Sequence, residues 1–150
     1  MPFDAARLGE HVHGHLGWLA AIALAHPAIF LRRLGRRAHL SVALAVGLAT
    51  LTGALGATLY PAYRDRLRQP IFASAPSLGT LFERKEHLAF GAVLLAWVGA
   101  VTYASAQFRC DDVGTSDALR KAAHWAFVAA ALLAVATAVL GTVVASYRTF

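Results

Sequence analysis

Apolar residues run almost unbroken through four stretches, residues 16–31, 40–60, 88–108 and 125–147, and the charged residues collect between and beside them. A helix rising 1.5 Å per residue needs about 20 such residues to cross ~30 Å of hydrocarbon, and each run meets that length, the first only with help from its flanks. The pattern predicts an all-α fold: an integral-membrane, up-and-down four-helix bundle, with residues 1–150 forming a single four-helix transmembrane domain.

Helix punctuation agrees with this division. The series Thr80, Leu81, Phe82, Glu83 has the form of a capping box, which would start the third span near Leu81. Thr115 or Ser116 would cap the fourth, with Asp117 in its first turn, and Asp4 the first. The connection YPAYRDRLRQPIFASAPSLG holds Pro61, Pro70 and Pro76 and is too polar to span, so it reads as a surface segment with a short interfacial helix. Small residues crowd the second and fourth runs, as in AVGLATLTGALGA and AAALLAVATAVLG, which permits close helix packing or leaves room for a flat cofactor.

Composition supports the membrane class, with 58% apolar and 15% charged residues and a mean hydropathy of +0.55. The net charge of +6 does not point to nucleic acid, because the arginines stand at the ends of apolar runs, where they contact lipid headgroups and set topology. Arg7 before the first run and Arg32, Arg33, Arg36 and Arg37 after it favour termini outside, although the two sides balance over the whole chain. Asp4 and Glu10 before the first run, with LRRLGRR rather than a cleavage motif after it, argue for a retained helix rather than a signal peptide. A bacterial inner membrane is the expected location. The single cysteine, Cys110, leaves histidine as the residue for any metal chemistry.

All seven histidines fall within or at the edge of an apolar run, and none lies in the long polar connection. On the first helix His11, His15 and His26 share a face, since four residues overshoot a full circle by about 40° and eleven by about 20°, while His13 points the opposite way. With termini outside, His15 and His87 lie at the outer edge of spans one and three, and His39 and His124 at the inner edge of spans two and four. These are the two diagonals of the bundle. A b-type haem takes one imidazole on each side of its iron, so facing helices with histidines at equal depth can hold one, and this chain offers that twice.

At these five positions, His15, His26, His39, His87 and His124, the chain resembles the membrane b-type cytochromes, whose helices carry such histidines at two levels. The resemblance covers bundle architecture and single residues, without a longer motif. It departs from the cytochromes that carry both ligands on one helix, which only the first helix, with His15 and His26, can do here. Edge pairs alone would separate two irons by nearly ~30 Å. His26 lies roughly 8–9 Å inside Arg32, so His26 with His124 ranks slightly above His39 with His124 as the inner pair. Arg64, Arg66, Arg68 and Arg84 flank the outer site, and Arg36, Arg37 and Arg120 the inner one, as partners for haem propionates.

The implied function is a membrane cytochrome b with one or two haem b groups, passing electrons between a quinol and a partner redox protein and acting as an enzyme only within a complex. Tyr60, Tyr63 or Trp18 would line a quinone pocket near the outer surface. Two alternatives stay open: a metal-ion or proton transporter that uses the same histidines, and a non-catalytic membrane assembly subunit. A zinc or copper site of HVHGH with Glu83, Glu86 and His87 fits less well, because alternate helical residues diverge by about 200°.

Overall fold

The computed structural model describes residues 5–32, 38–108 and 113–146. Five helices follow one another, α1 (Ala5–Leu31), α2 (His39–Tyr63), α3 (Gln69–Ser74), α4 (Pro76–Phe108) and α5 (Val113–Ser146), and no strand occurs among the described residues. Helices α1, α2, α4 and α5 are each long and apolar enough to cross a membrane. Helix α1 packs against α2 and α5, and α4 against α5 and α2, so α1 and α4 face each other across one diagonal and α2 and α5 across the other. The up-and-down bundle is as the hydropathy pattern predicts.

Small side chains form the centre. Ala20, Ala21, Ala28, Ala45, Ala49, Ala92, Ala96, Ala123 and Ala130 are buried around Leu24 and Phe127, while Ile22, Ile29, Leu40, Phe90 and Leu132 point outward. In water that distribution would be costly. In lipid, branched chains gain nothing by hiding, and small ones let backbones approach, so van der Waals contact between helices takes over as the cohesive force.

Several helix ends differ from the expectation. Helix α4 begins at Pro76 rather than near Leu81, and Thr80 donates from Oγ1 to the Pro76 carbonyl instead of capping (3.0 Å). Proline suits a first helical turn because the amide it lacks would have no partner there. Ser116 likewise ties α5 to α4, donating to the Ala106 carbonyl (2.9 Å), and α5 already starts at Val113. Asp4 lies outside the described residues. The long polar connection is more helical than expected: α2 runs through Pro61 to Tyr63, a π-helical turn spans Arg64–Arg68, and α3 follows. Tyr63 stacks on Phe82 (ring centroids 3.6 Å apart), and Arg68 pairs with Glu83 (2.9 Å), pinning this segment to the start of α4.

The opposite end is closed by Tyr103, whose hydroxyl accepts the Ala38 amide at 2.8 Å in a buried setting. Tyr103→Phe leaves that amide without its acceptor and is expected to cost about 1–3 kcal/mol. Faster hydrogen exchange at Ala38 and a lower unfolding temperature in detergent would register the loss; unchanged exchange would show that another group holds the amide.

Candidate functional site: two tiers of histidines

Contacts between neighbouring helices establish which residues share a depth. In the antiparallel α1–α2 pair, His26 Nδ1 lies 2.7 Å from Ser41 Oγ, and Thr52 donates to the Leu16 carbonyl at 3.3 Å. Across the α1–α5 seam, His124 Nδ1 lies 2.6 Å from the Ala28 carbonyl oxygen. By these registers His26, His39 and His124 sit within about 3 Å of one another along the helix axes, and His13, His15 and His87 form a second tier about 20 Å away. The matching depths expected from the sequence are therefore present. The orientations are less uniform.

In the tier of His26, His39 and His124, labelled inner after the expected topology, His124 is the most fixed. A carbonyl can only accept, so its Nδ1 carries the proton and donates to Ala28, whose carbonyl falls in the last turn of α1, where helical partners run out. The neutral ring then presents Nε2 as a lone-pair donor, the arrangement that commonly orients metal-ligating histidines. His39 is exposed at the start of α2, its ring 5.4 Å from that of Tyr103, and it borders a groove of about 260 Å³ between α2 and α4 with Gln107 and Phe108. Continuous with it through Val42, Ala43 and Ala100 is an apolar groove of about 610 Å³ lined also by Gly47, Thr50 and Trp97.

Pairing with His124 would require the His26 ring to face the bundle interior, and it does not. It is exposed along the α1–α2 seam, bonded to Ser41 and stacked on Phe30 (ring centroids 4.4 Å apart). The reason lies in the face that α1 buries, Ala20, Ala21, Leu24, Pro27, Ala28 and Leu31. That stripe contains Pro27, around which α1 continues without interruption, and it turns the face shared by His11, His15 and His26 outward.

His15 and His87 in the other tier, labelled outer after the expected topology, are likewise exposed, on helices that are diagonal to each other, so in this arrangement their rings do not meet in a shared enclosed space. His87 does have the orienting bond: its Nδ1 lies 2.8 Å from the Glu83 carbonyl oxygen, one turn back along α4. The histidine that α1 turns inward is His13. It is half-buried against Gly56 of α2. Spacing would have found it, because residues 13, 17, 20, 24, 27 and 31 follow one helical stripe of small and apolar residues. Attention to the face richer in histidine hid that stripe.

Of the candidate propionate partners, Arg64, Arg66, Arg68 and Arg84 are exposed at the outer end, and Arg120 is half-buried one turn before His124 at the inner end; Arg36 and Arg37 lie outside the described residues, as does Cys110. Arg32, at the end of α1, shares its side of the bundle with Arg120 and Lys121, as expected. Glu83 holds the Arg68 guanidinium above its ordinary range, so Arg68 stays charged and already has an anionic partner. Tyr63 is buried against Phe82, which makes it a packing residue rather than a pocket wall, whereas Tyr60 and Trp18 remain exposed. Among the described residues no three His, Cys, Asp or Glu side chains gather around a point that would hold a metal ion, the rival HVHGH site included. No protein-family model, no curated protein and no solved structure matches the chain.

Proposed function

We propose that the protein is a membrane b-type cytochrome that carries electrons between the two faces of the bilayer. The observation that supports this most directly is the shared geometry of His87 and His124. Each stands on a different span, near a different end of the bundle, and each donates Nδ1–H to a backbone carbonyl, which leaves Nε2 as the ligating atom. A histidine kept only as a headgroup anchor needs no such restraint, because an amphipathic ring satisfies itself with water and lipid.

The residues fit haem by donor chemistry and by depth. His124, with His39 or His26, would hold an inner group, and His87 an outer one. Haem bound there supplies reversible one-electron transfer. The chain itself contributes fixed imidazoles, apolar helix faces that keep water from the tiers, and cations at both ends: Arg120 inside, Arg64, Arg66 and Arg84 outside. A tier spacing of about 20 Å is shorter than the ~30 Å that ligands at the extreme edges would impose. The groove between α2 and α4 opens sideways to lipid with His39 at its end, which suits a lipid-soluble quinol as electron donor better than the outer aromatic residues do.

A reduced-minus-oxidised spectrum of protein purified in detergent from haem-replete cells tests the reading. A b-type α-band and a stoichiometry of one or two haems per chain are expected. A colourless protein refutes it and would favour an assembly or transport role.

A further inference from the structure

The spanning helices meet along four seams, and the one between α2 and α4 is the least extensive. Two contacts bound its open part. A Cβ at Gly53 would stand 3.3 Å from Val93 Cγ2, so the helices are close there, and at the other end the Ala38 amide donates to the Tyr103 hydroxyl. Between these contacts lies the groove described above, which runs about 22 Å along α2 from the level of His39 to that of Ala54. We propose that this groove is a two-part quinol site, in which the His39 end holds the ring and the stretch past Gly47 holds the hydrocarbon chain. The proposal rests on the cytochrome reading for the quinol's redox role and adds to it the residues that recognise each part of the molecule.

The end near His39 has the chemistry to hold a flat, neutral head. Its space of about 260 Å³ is bordered by His39 from α2 and by Tyr103, Gln107 and Phe108 from α4. Three of these side chains are rings, which stack on a flat ring, and His39 and Gln107 stand on opposite walls as the polar groups for oxygens at its two edges. Among the described residues no group hydrogen-bonds the His39 ring, whose neighbour is Tyr103. A histidine that ligates a metal through one nitrogen still offers the other, so this contact is compatible with His39 as a haem ligand. Charge points the same way. Among the described residues the lining carries no fixed charge, which suits a neutral quinol, whereas the phosphate of a phospholipid calls for arginine or lysine.

The rest of the groove suits a chain. Its volume of about 610 Å³ lies within the ~300–1,000 Å³ usual for small-molecule sites. Ala43, Gly47, Thr50 and Ala54, all exposed, follow one face of α2, and Trp97 of α4 forms the facing wall. The indole N–H donates to Thr50 Oγ1 at 3.1 Å, so that polar atom is satisfied and the wall offers a ligand an aromatic face. Gly47 is the informative position. A Cβ there would meet nothing within 4 Å, so helix packing does not require glycine, in contrast to Gly53 and Gly99. Glycine weakens a helix interior. What it leaves here is room in the groove, at the point where a chain leaving the His39 end would pass.

Photolabelling of the purified full-length protein with two azidoquinones, one bearing a hydrocarbon chain and one without it, tests the assignment, with the label located by mass spectrometry. Both probes are expected to label the segments around His39 and Gln107, and excess unlabelled quinone should suppress the label. Gly47→Leu, whose Cβ has open space, is expected to weaken the chained probe about tenfold and to leave the chainless one unchanged. His39→Leu should weaken both about tenfold, the usual effect of one lost hydrogen bond. Label elsewhere, a Gly47→Leu variant that does not distinguish the probes, a His39→Leu variant that binds as the wild type, or suppression by excess phospholipid overturns the proposal. Cross-linking of two copies through the groove does so too, because a second chain then fills it. If a variant does not accumulate in the membrane, the wild-type label and the phospholipid competition decide. The haem spectrum separates the two readings: labelling of a colourless protein keeps the quinone site and removes the cytochrome, while a haem-bearing protein without label keeps the cytochrome and removes the site.

Discussion

Replacing His124 by alanine is expected to abolish the inner-tier haem signal and to destabilise the bundle. The two effects have separate causes. Loss of Nε2 removes the proposed ligand. Loss of Nδ1–H leaves the Ala28 carbonyl, at the end of α1, without its donor at a half-buried seam, at a cost of about 1–3 kcal/mol. His124→Asn separates them, because a carboxamide nitrogen can still donate toward Ala28 yet supplies no imidazole to a metal. We expect His124→Asn to unfold in detergent close to the wild type and to lack the inner haem, and His124→Ala to fail in both respects. If His124→Asn retains full haem content, His124 is a helix cap and the inner ligands are His39 and His26. A normal unfolding temperature in His124→Ala would mean that water or lipid replaces the bond.

The same residue illustrates what was legible in the sequence. Four spans, their antiparallel order and the two depths of histidine follow from hydropathy and spacing, since the bilayer leaves few ways to satisfy a backbone. Which way each ring points does not follow so readily. A soluble helix advertises its buried face by hydrophobicity, but here Ile22 and Ile29 face lipid while Ala21 and Ala28 face the core, so apolar character marks both sides. Side-chain size carries the signal instead. Read by size, α1 would have shown His13 inward and His26 on the seam with α2. Thr80 and Ser116 misled because their hydroxyls bond carbonyls, that of Pro76 one turn back and that of Ala106 on α4, instead of the amides at their own helix starts.

Size also governs the most destabilising substitution in the bundle. Phe127 is the largest fully buried side chain among the described residues, and its ring occupies the notch left by Gly99, where a Cβ would stand 2.9 Å away. Around it the core is rich in alanine, which leaves little side-chain volume to move into the space the ring would vacate. Phe127→Ala is therefore expected to cost about 3–5 kcal/mol, the range for a large buried aromatic. In lipid the loss is chiefly of dispersion contacts rather than of hydrophobic burial, and the α4–α5 seam, the most extensive in the bundle, should loosen first. Gly99→Leu attacks the same contact from the other side, forcing the helices apart, and is expected to cost about 1–3 kcal/mol. Because both changes act on one notch, the double variant should be more stable than the sum of the single losses predicts, as the new leucine occupies part of the void. Denaturation of the purified protein in detergent measures all three. The seam also holds α4, which bears His87, against α5, which bears His124, so loosening it should lower haem content at both tiers with every histidine in place. Strict additivity of the two losses would show that Gly99 and Phe127 do not share a contact, and a haem content unchanged in Phe127→Ala would show that the tiers do not depend on this seam.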